Sequence, residues 1–165
     1  MKYKFCPICG RKLKKVICGD EGVVPFCPHD TYYYFDTPNP CIMVAVIKDD
    51  EILLLKQSYI YKDSKVLVSG YIGIDEKAED TVYREVLEET SIEIEDINFL
   101  GTDFIEGREI LMLTYSAKYK AGTIKPSKEV EEAGWFKISE ALEELGENEI
   151  GKRVLKKAID REPAL

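Results

Sequence analysis

The chain has no run of about 18 consecutive apolar residues, so no segment is predicted to span a bilayer as a helix. Its opening, MKYKFCPICG, has no uninterrupted apolar core because Cys, Pro and Gly break it up, which excludes a secretory signal and leads us to expect a cytoplasmic protein. Internal repeats and low-complexity segments are absent. Acid is missing from the first nineteen residues, which carry Lys2, Lys4, Arg11, Lys12, Lys14 and Lys15. The net charge is nonetheless −8, so the remainder is strongly acidic. A broad basic face is therefore lacking, and nucleic acid is not expected as the main partner. Histidine is scarcer still, with His29 alone among 165 residues. At that length, with 45% hydrophobic and 33% charged residues, one globular domain plus a small module is expected.

What is abundant near the N-terminus is cysteine: Cys6, Cys9, Cys18 and Cys27, with Cys41 following. In a reducing compartment, clustered thiols read as metal ligands before disulfides. Two residues between Cys6 and Cys9 let both thiolates reach one tetrahedral ion, and Gly10 allows the turn. The partner half reads Cys27-Pro28-His29-Asp30, so the fourth ligand is open among His29, Asp30 and Cys18. We take Cys6, Cys9, Cys27 and His29 as the expected zinc set. Too few apolar residues precede Tyr32 for an independent core, which favours a metal staple. The aromatic run Tyr32–Phe35 is expected to pack the small module on the large one, and Thr37-Pro38-Asn39-Pro40 reads as an extended connector that pairs with no ladder. The expected division is 1–37 and 38–165.

In the second part, Cys41–Ile47 reads as a buried strand and Ile52–Leu55 as its hairpin partner across Asp49-Asp50. Val66–Val68, Ile97–Leu100, Ile110–Tyr119 and Trp135-Phe136 are further strands. Helices are expected over Ala78–Thr90, from a Ser139 cap to Leu145, and from Asn148 to about Asp160. Mixed strands with few, separated helices predict an α+β fold with a sheet between helices.

The helix over Ala78–Thr90 carries the chemistry. At about 100° per residue, Glu85, Glu88 and Glu89 share one arc, and Val82, Val86, Tyr83 and Leu87 are expected on the other. Three carboxylates so placed repel one another unless a divalent cation gathers them. Oxygen ligands suit Mg²⁺ or Mn²⁺. Glu76 lies eight positions before Arg84, and Gly70 six before Glu76.

The stretch Gly70–Ile92, GYIGIDEKAEDTVYREVLEETSI, resembles the signature of Nudix hydrolases, G-x5-E-x7-R-E-U-x-E-E-x-G-U, with U a bulky apolar residue. Ser91 replaces the second Gly, and Gly73 and Asp75 replace an acid and a Gly common in the loop. The resemblance implies an α/β/α sandwich that hydrolyses the diphosphate linkage of a nucleoside diphosphate derivative, such as NADH or ADP-ribose. It implies that Glu85, Glu88 and Glu89 ligate the metal, that Gly70 lends its carbonyl, that Glu76 supports the loop, and that Arg84 holds a box glutamate. A further acid is expected among Glu129, Glu131 and Glu132. A zinc ribbon before such a domain resembles the NADH pyrophosphatase branch, although that branch's substrate motif is replaced here by residues including Phe104 and Arg108, taken as substrate contacts. Relatives of this kind frequently form homodimers. The competing expectation is a non-catalytic nucleotide sensor with an N-terminal interaction module.

Overall fold

In the first forty residues, thiols occupy the places that apolar side chains take in a larger core. The computed structural model describes residues 3–161, and its chain divides into two compact units, Met1–Pro38 and Asn39–Leu165. In the first unit, strands β1 (Lys14–Ile17), β2 (Val23–Cys27) and β3 (Tyr32–Tyr33) form an antiparallel sheet in that order. Cys6, Cys27 and Tyr34 are its buried cluster, with Cys9 and Leu13 packed against them.

The second unit is a six-stranded mixed sheet. Its strands are β4 (Asn39–Lys48), β5 (Glu51–Lys56), β6 (Val68–Tyr71), β7 (Ile92–Ile105), β8 (Ile110–Gly122) and β9 (Glu132–Lys137). Their order is β7-β8-β4-β5-β9, with β6 also paired to β4. β4 runs parallel to β8 and antiparallel to β5 and β6. The helices are α1 (Ala78–Thr90), α2 (Ile138–Glu144) and α3 (Glu149–Arg161).

β4 explains the layering. Cys41, Met43, Ala45 and Ile47 enter one core with Ala141 and Leu145 near α2 and Val154, Leu155 and Ala158 of α3. Ile42, Val44 and Val46 enter the other with Val82 and Val86 of α1. Side chains alternate faces along a strand, so a continuous apolar run is what a sheet covered on both sides requires. The result is the expected α/β/α sandwich.

Several expectations are corrected. Asn39 and Pro40 belong to β4, opposite Ile110 and Leu111; Pro40 is tolerated near a strand start, and its carbonyl accepts from Ile72 N–H at 3.1 Å. β7 runs well beyond Ile97–Leu100, because register shifts at Glu93/Ile94, Glu95/Asn98 and Phe99/Gly101 break the two-residue period that marks a strand. Ser139 caps nothing: α2 begins at Ile138, and Lys137 at its N-cap makes no side-chain cap bond. Asn148 does cap α3, its Oδ1 accepting from Gly151 N–H at 3.0 Å. Tyr83 and Leu87 are exposed, so the buried face of α1 is narrower than predicted and includes Thr81, Val82, Val86, Glu89 and Thr90. Among the described residues, no helix is long and apolar enough to cross a membrane.

Candidate active site and metal centre

Glu89 follows Val86 by three residues, which sets it on the edge of the buried face of α1 rather than in solvent. It is only 6% exposed. Its Oε1 accepts from the Gln57 amide at 2.9 Å, while its Oε2 is buried with no protein partner. Burial, reinforced by the charges of Glu85, Glu129 and Glu88, pushes its carboxyl up to about 7. Glu85 is also raised, chiefly by burial and against the pull of Arg84.

Arg84 organises the rest. Its Nε and Nη2 donate to Glu76 at 2.7 and 2.9 Å, and its Nη1 donates to Glu85 at 2.7 Å and to Glu88 at 3.1 Å. Nη2 also reaches the Tyr71 carbonyl at 3.2 Å. Glu76 accepts from Gly73 N–H at 2.9 Å, and the Arg84 guanidinium holds its carboxyl down at about 2. The loop before α1 is thus clamped to the helix by a two-pronged ion pair, the strong geometry for Arg and carboxylate. Gly70 ends this framework in β6: a Cβ there would overlap the Glu85 carboxylate, so only glycine lets that side chain lie against the strand.

These residues border a cavity of about 600 Å³. Gly70, Arg84, Glu85 and Glu89 line one side, and Glu129 and Arg108, both anticipated, line it as well. Phe104 is not a lining residue: it is exposed on β7. Nor is Glu88, whose side chain is 60% exposed and paired to Arg84. Glu131 is occupied by Ser58, accepting from its N–H at 2.9 Å and its hydroxyl at 2.8 Å, and Glu132 is exposed on β9. The rest of the lining was not anticipated: Met43, Ile110 and Met112 give an apolar surface, and Tyr59, Tyr61 and Tyr71 add aromatic rings. These residues come from separate strands and loops and share no sequence spacing.

The donor set fits a hard divalent cation. All its side-chain donors are carboxylate oxygens, Glu89 Oε2 is an orphaned buried acceptor, and burial raises the carboxyls of both Glu89 and Glu85, a cost that a bound cation relieves. Comparison with known proteins agrees with this geometry. The NUDIX domain family matches residues 37–158. This chain belongs to the Nudix family. It is 31% identical over 140 residues to the NAD-capped RNA hydrolase NudC of Pseudomonas syringae pv. syringae, covering 84% of this chain and 49% of that protein. The NudC of Vibrio atlanticus is 27% identical over 158 residues, covering 95% of this chain and 58% of that one. The chain therefore spans about half the length of the curated relatives it matches. A Nudix hydrolase structure from Nitrosomonas europaea superposes with TM-score 0.74 at 21% identity, covering 99% of this chain and 96% of that one. An ADP-ribose pyrophosphatase from Streptococcus suis gives 0.61 at 19%, covering 78% and 97%. At those identities the superpositions speak for the Nudix fold alone.

Ser91, the departure from the Nudix signature, ends α1 at φ 61° with its N–H bonded to the Leu87 carbonyl. The helix keeps the left-handed exit that favours Gly, with a side chain on it. Asp75, likewise, stands at φ 63° in the loop.

The N-terminal unit holds a second cluster. Ligand atoms of Cys6, Cys9, Cys27 and Asp30 all lie within 4.8 Å of one another. Cys6 and Cys27 Sγ donate to Asp30 Oδ2 at 2.9 and 3.1 Å, and Cys9 and Cys27 Sγ are 3.6 Å apart. Backbone N–H groups of Ile8 and Cys9 point at Cys6 Sγ, and that of Asp30 at Cys27 Sγ, each at 3.4 Å. His29, expected as the fourth ligand, lies outside this group. Its ring is 52% exposed and its Nδ1 lies 3.0 Å from Asp30 Oδ1, so it contacts the carboxylate from outside. Cys18 is not part of the group. The turn that points amides at sulfur brings the third residue after Cys27 inward, and that residue is Asp30.

Proposed function

We propose that the Nudix unit is a metal-dependent pyrophosphohydrolase that cleaves the diphosphate linkage of a nucleoside diphosphate derivative. The observation that carries this is Glu89: a buried carboxylate with one oxygen unpartnered, beside Glu85 and Gly70 at the edge of a cavity. Glu85, Glu89 and the Gly70 carbonyl would hold Mg²⁺ or Mn²⁺, with Glu88 joining from the rim. Such an ion, when bound, supplies a lowered pKa for bound water and neutralises charge on the phosphates. Arg84 holds Glu85 in place and keeps Glu76 from competing as a free charge. A carboxylate facing the cavity would take the proton as water attacks phosphorus and the anhydride oxygen departs with the second phosphate. Glu129 faces the same space. Arg108 is placed to meet a phosphate, and the apolar and tyrosine wall to receive a ring.

Both NADH and ADP-ribose fall in the proposed substrate class. The relatives' activity on NAD-capped RNA extends it to a capped 5′ end, and the exclusion of nucleic acid drawn from net charge is set aside, because gripping a cap does not need a broad basic face. In the N-terminal unit, three thiolates and one carboxylate suit zinc in a closed tetrahedral site, with Asp30 in the place first given to His29.

The test is product release from NADH, ADP-ribose and NAD-capped RNA with Mg²⁺ or Mn²⁺, for wild type and E89Q. Turnover reduced about 10³-fold or more in E89Q is expected, the scale on which loss of a metal-ligating carboxylate acts. Nucleotide binding without turnover in both proteins would favour the sensor instead.

A further inference from the structure

We infer that Gln57 is the positioning residue for Glu89, holding one carboxylate oxygen so that the other stays free for the divalent ion, and joining that carboxylate to the loop that walls the cavity. The inference rests on the hydrolase proposal and deepens it.

Gln57 follows the last residue of β5 and is 1% exposed, an unusual burial for an amide. A buried amide without a partner is costly, and this one has Glu89 Oε1 at 2.9 Å. Glu89 Oε2, in contrast, has no partner. One oxygen is therefore saturated by the protein and the other is not, which fixes the carboxylate's rotation.

The donor's chemistry matters. Lysine or arginine at position 57 would cancel the negative charge that a cation needs. An aliphatic residue would leave both oxygens unpartnered. A neutral amide orients the carboxylate and leaves its charge intact.

The same residue begins the loop. Its carbonyl accepts from Ile60 N–H at 2.9 Å and Tyr61 N–H at 3.3 Å, closing the turn that carries Tyr59, Ile60 and Tyr61 to the cavity wall. Ser58, next in sequence, fastens this loop to Glu131 through its N–H and hydroxyl. Side chain and backbone of one buried residue thus serve both halves of the site, while the bonds of Ser58 to Glu131 serve the loop.

That division gives the experiment. Q57M keeps the length and the backbone carbonyl but removes the amide, whereas S58A loosens the same loop without touching Glu89. Mn²⁺ binding to the full chain is measured by electron paramagnetic resonance, and kcat and KM are measured with NADH and ADP-ribose. Q57M is expected to bind Mn²⁺ about tenfold more weakly and to lose roughly 10- to 100-fold in kcat, with KM within about twofold. S58A is expected to keep Mn²⁺ affinity and kcat near wild type. If methionine prevents folding, Q57N, whose amide is one methylene short of Glu89, is expected to behave as Q57M. Wild-type Mn²⁺ affinity and kcat in a folded Gln57 variant overturn the inference, as do equal losses in S58A. A wild-type protein that neither binds Mn²⁺ nor turns over substrate sinks the hydrolase proposal with it, so the two failures are told apart.

Discussion

The carboxylate site and the thiol cluster are both places where charged ligands converge, yet they are held together by opposite means. On α1, the carboxylates ride on a helix fixed by Val82 and Val86 in a large core, and Arg84 and Gln57 aim them. Packing of the helix against the sheet, not ligation, sets the shape of this site. In the N-terminal unit the order is reversed: Cys6 and Cys27 are two of the three buried cluster residues, so the ligands are themselves the core. The comparison teaches that the first site should lose activity without its ion, whereas the second should lose its fold.

The sharpest way to break this contrast is to remove the thiol site's metal. Ligation in small zinc modules is worth on the order of 10 kcal/mol. C27S is therefore expected to abolish zinc binding and to expose residues 3–38 to rapid hydrogen exchange, while the amides of α1 stay protected. The same measurement separates the fourth ligand: D30A should release zinc, and H29A should retain about one per chain. Retention in D30A and loss in H29A would reverse the assignment.

A smaller effect sharpens the carboxylate side. The Glu89 carboxyl titrates near 7 in the folded protein against an ordinary 4.5. The metal-free native state thus holds a proton that the unfolded chain releases between those values. Stability accordingly rises as pH falls from about 7 towards 4.5 and is lost as pH climbs back, by on the order of 3 kcal/mol at most. In a chelator, the wild-type melting temperature should gain on that of E89Q as pH drops through this window. Parallel curves would mean that Glu89 is charged throughout.

The smallest expected effect concerns the departure from the Nudix signature. Ser91 holds a left-handed conformation at φ 61°, so S91G should stabilise the Nudix unit by about 0.5–1 kcal/mol in denaturant unfolding, leaving kcat unchanged.

Within α1 the sequence was highly legible, because residues three and four apart in a helix must be neighbours. That is why the Glu85, Glu88 and Glu89 arc was visible from spacing, whereas the role of Arg84 came from the resemblance to the Nudix signature. The same rule failed for Tyr83 and Leu87, since periodicity marks a stripe but not its width. Nor does periodicity give depth: Glu88 shares the arc yet lies at the rim. β7 was half hidden, its alternation interrupted by bulges. The fourth thiol-site ligand stayed open among His29, Asp30 and Cys18, because the direction of a turn, not ligand chemistry, decides which of two neighbours points inward.

The sequence by itself determined the family and the acidic helix face, because both rest on local spacing that a regular element converts directly into geometry. Only the tertiary structure decided that Gln57 meets Glu89 across 32 positions, that Met43, Met112 and Arg108 share one cavity, and that Asp30 closes the thiol cluster. Those meetings depend on how strands are ordered and turns are aimed, and no periodicity along the chain encodes them.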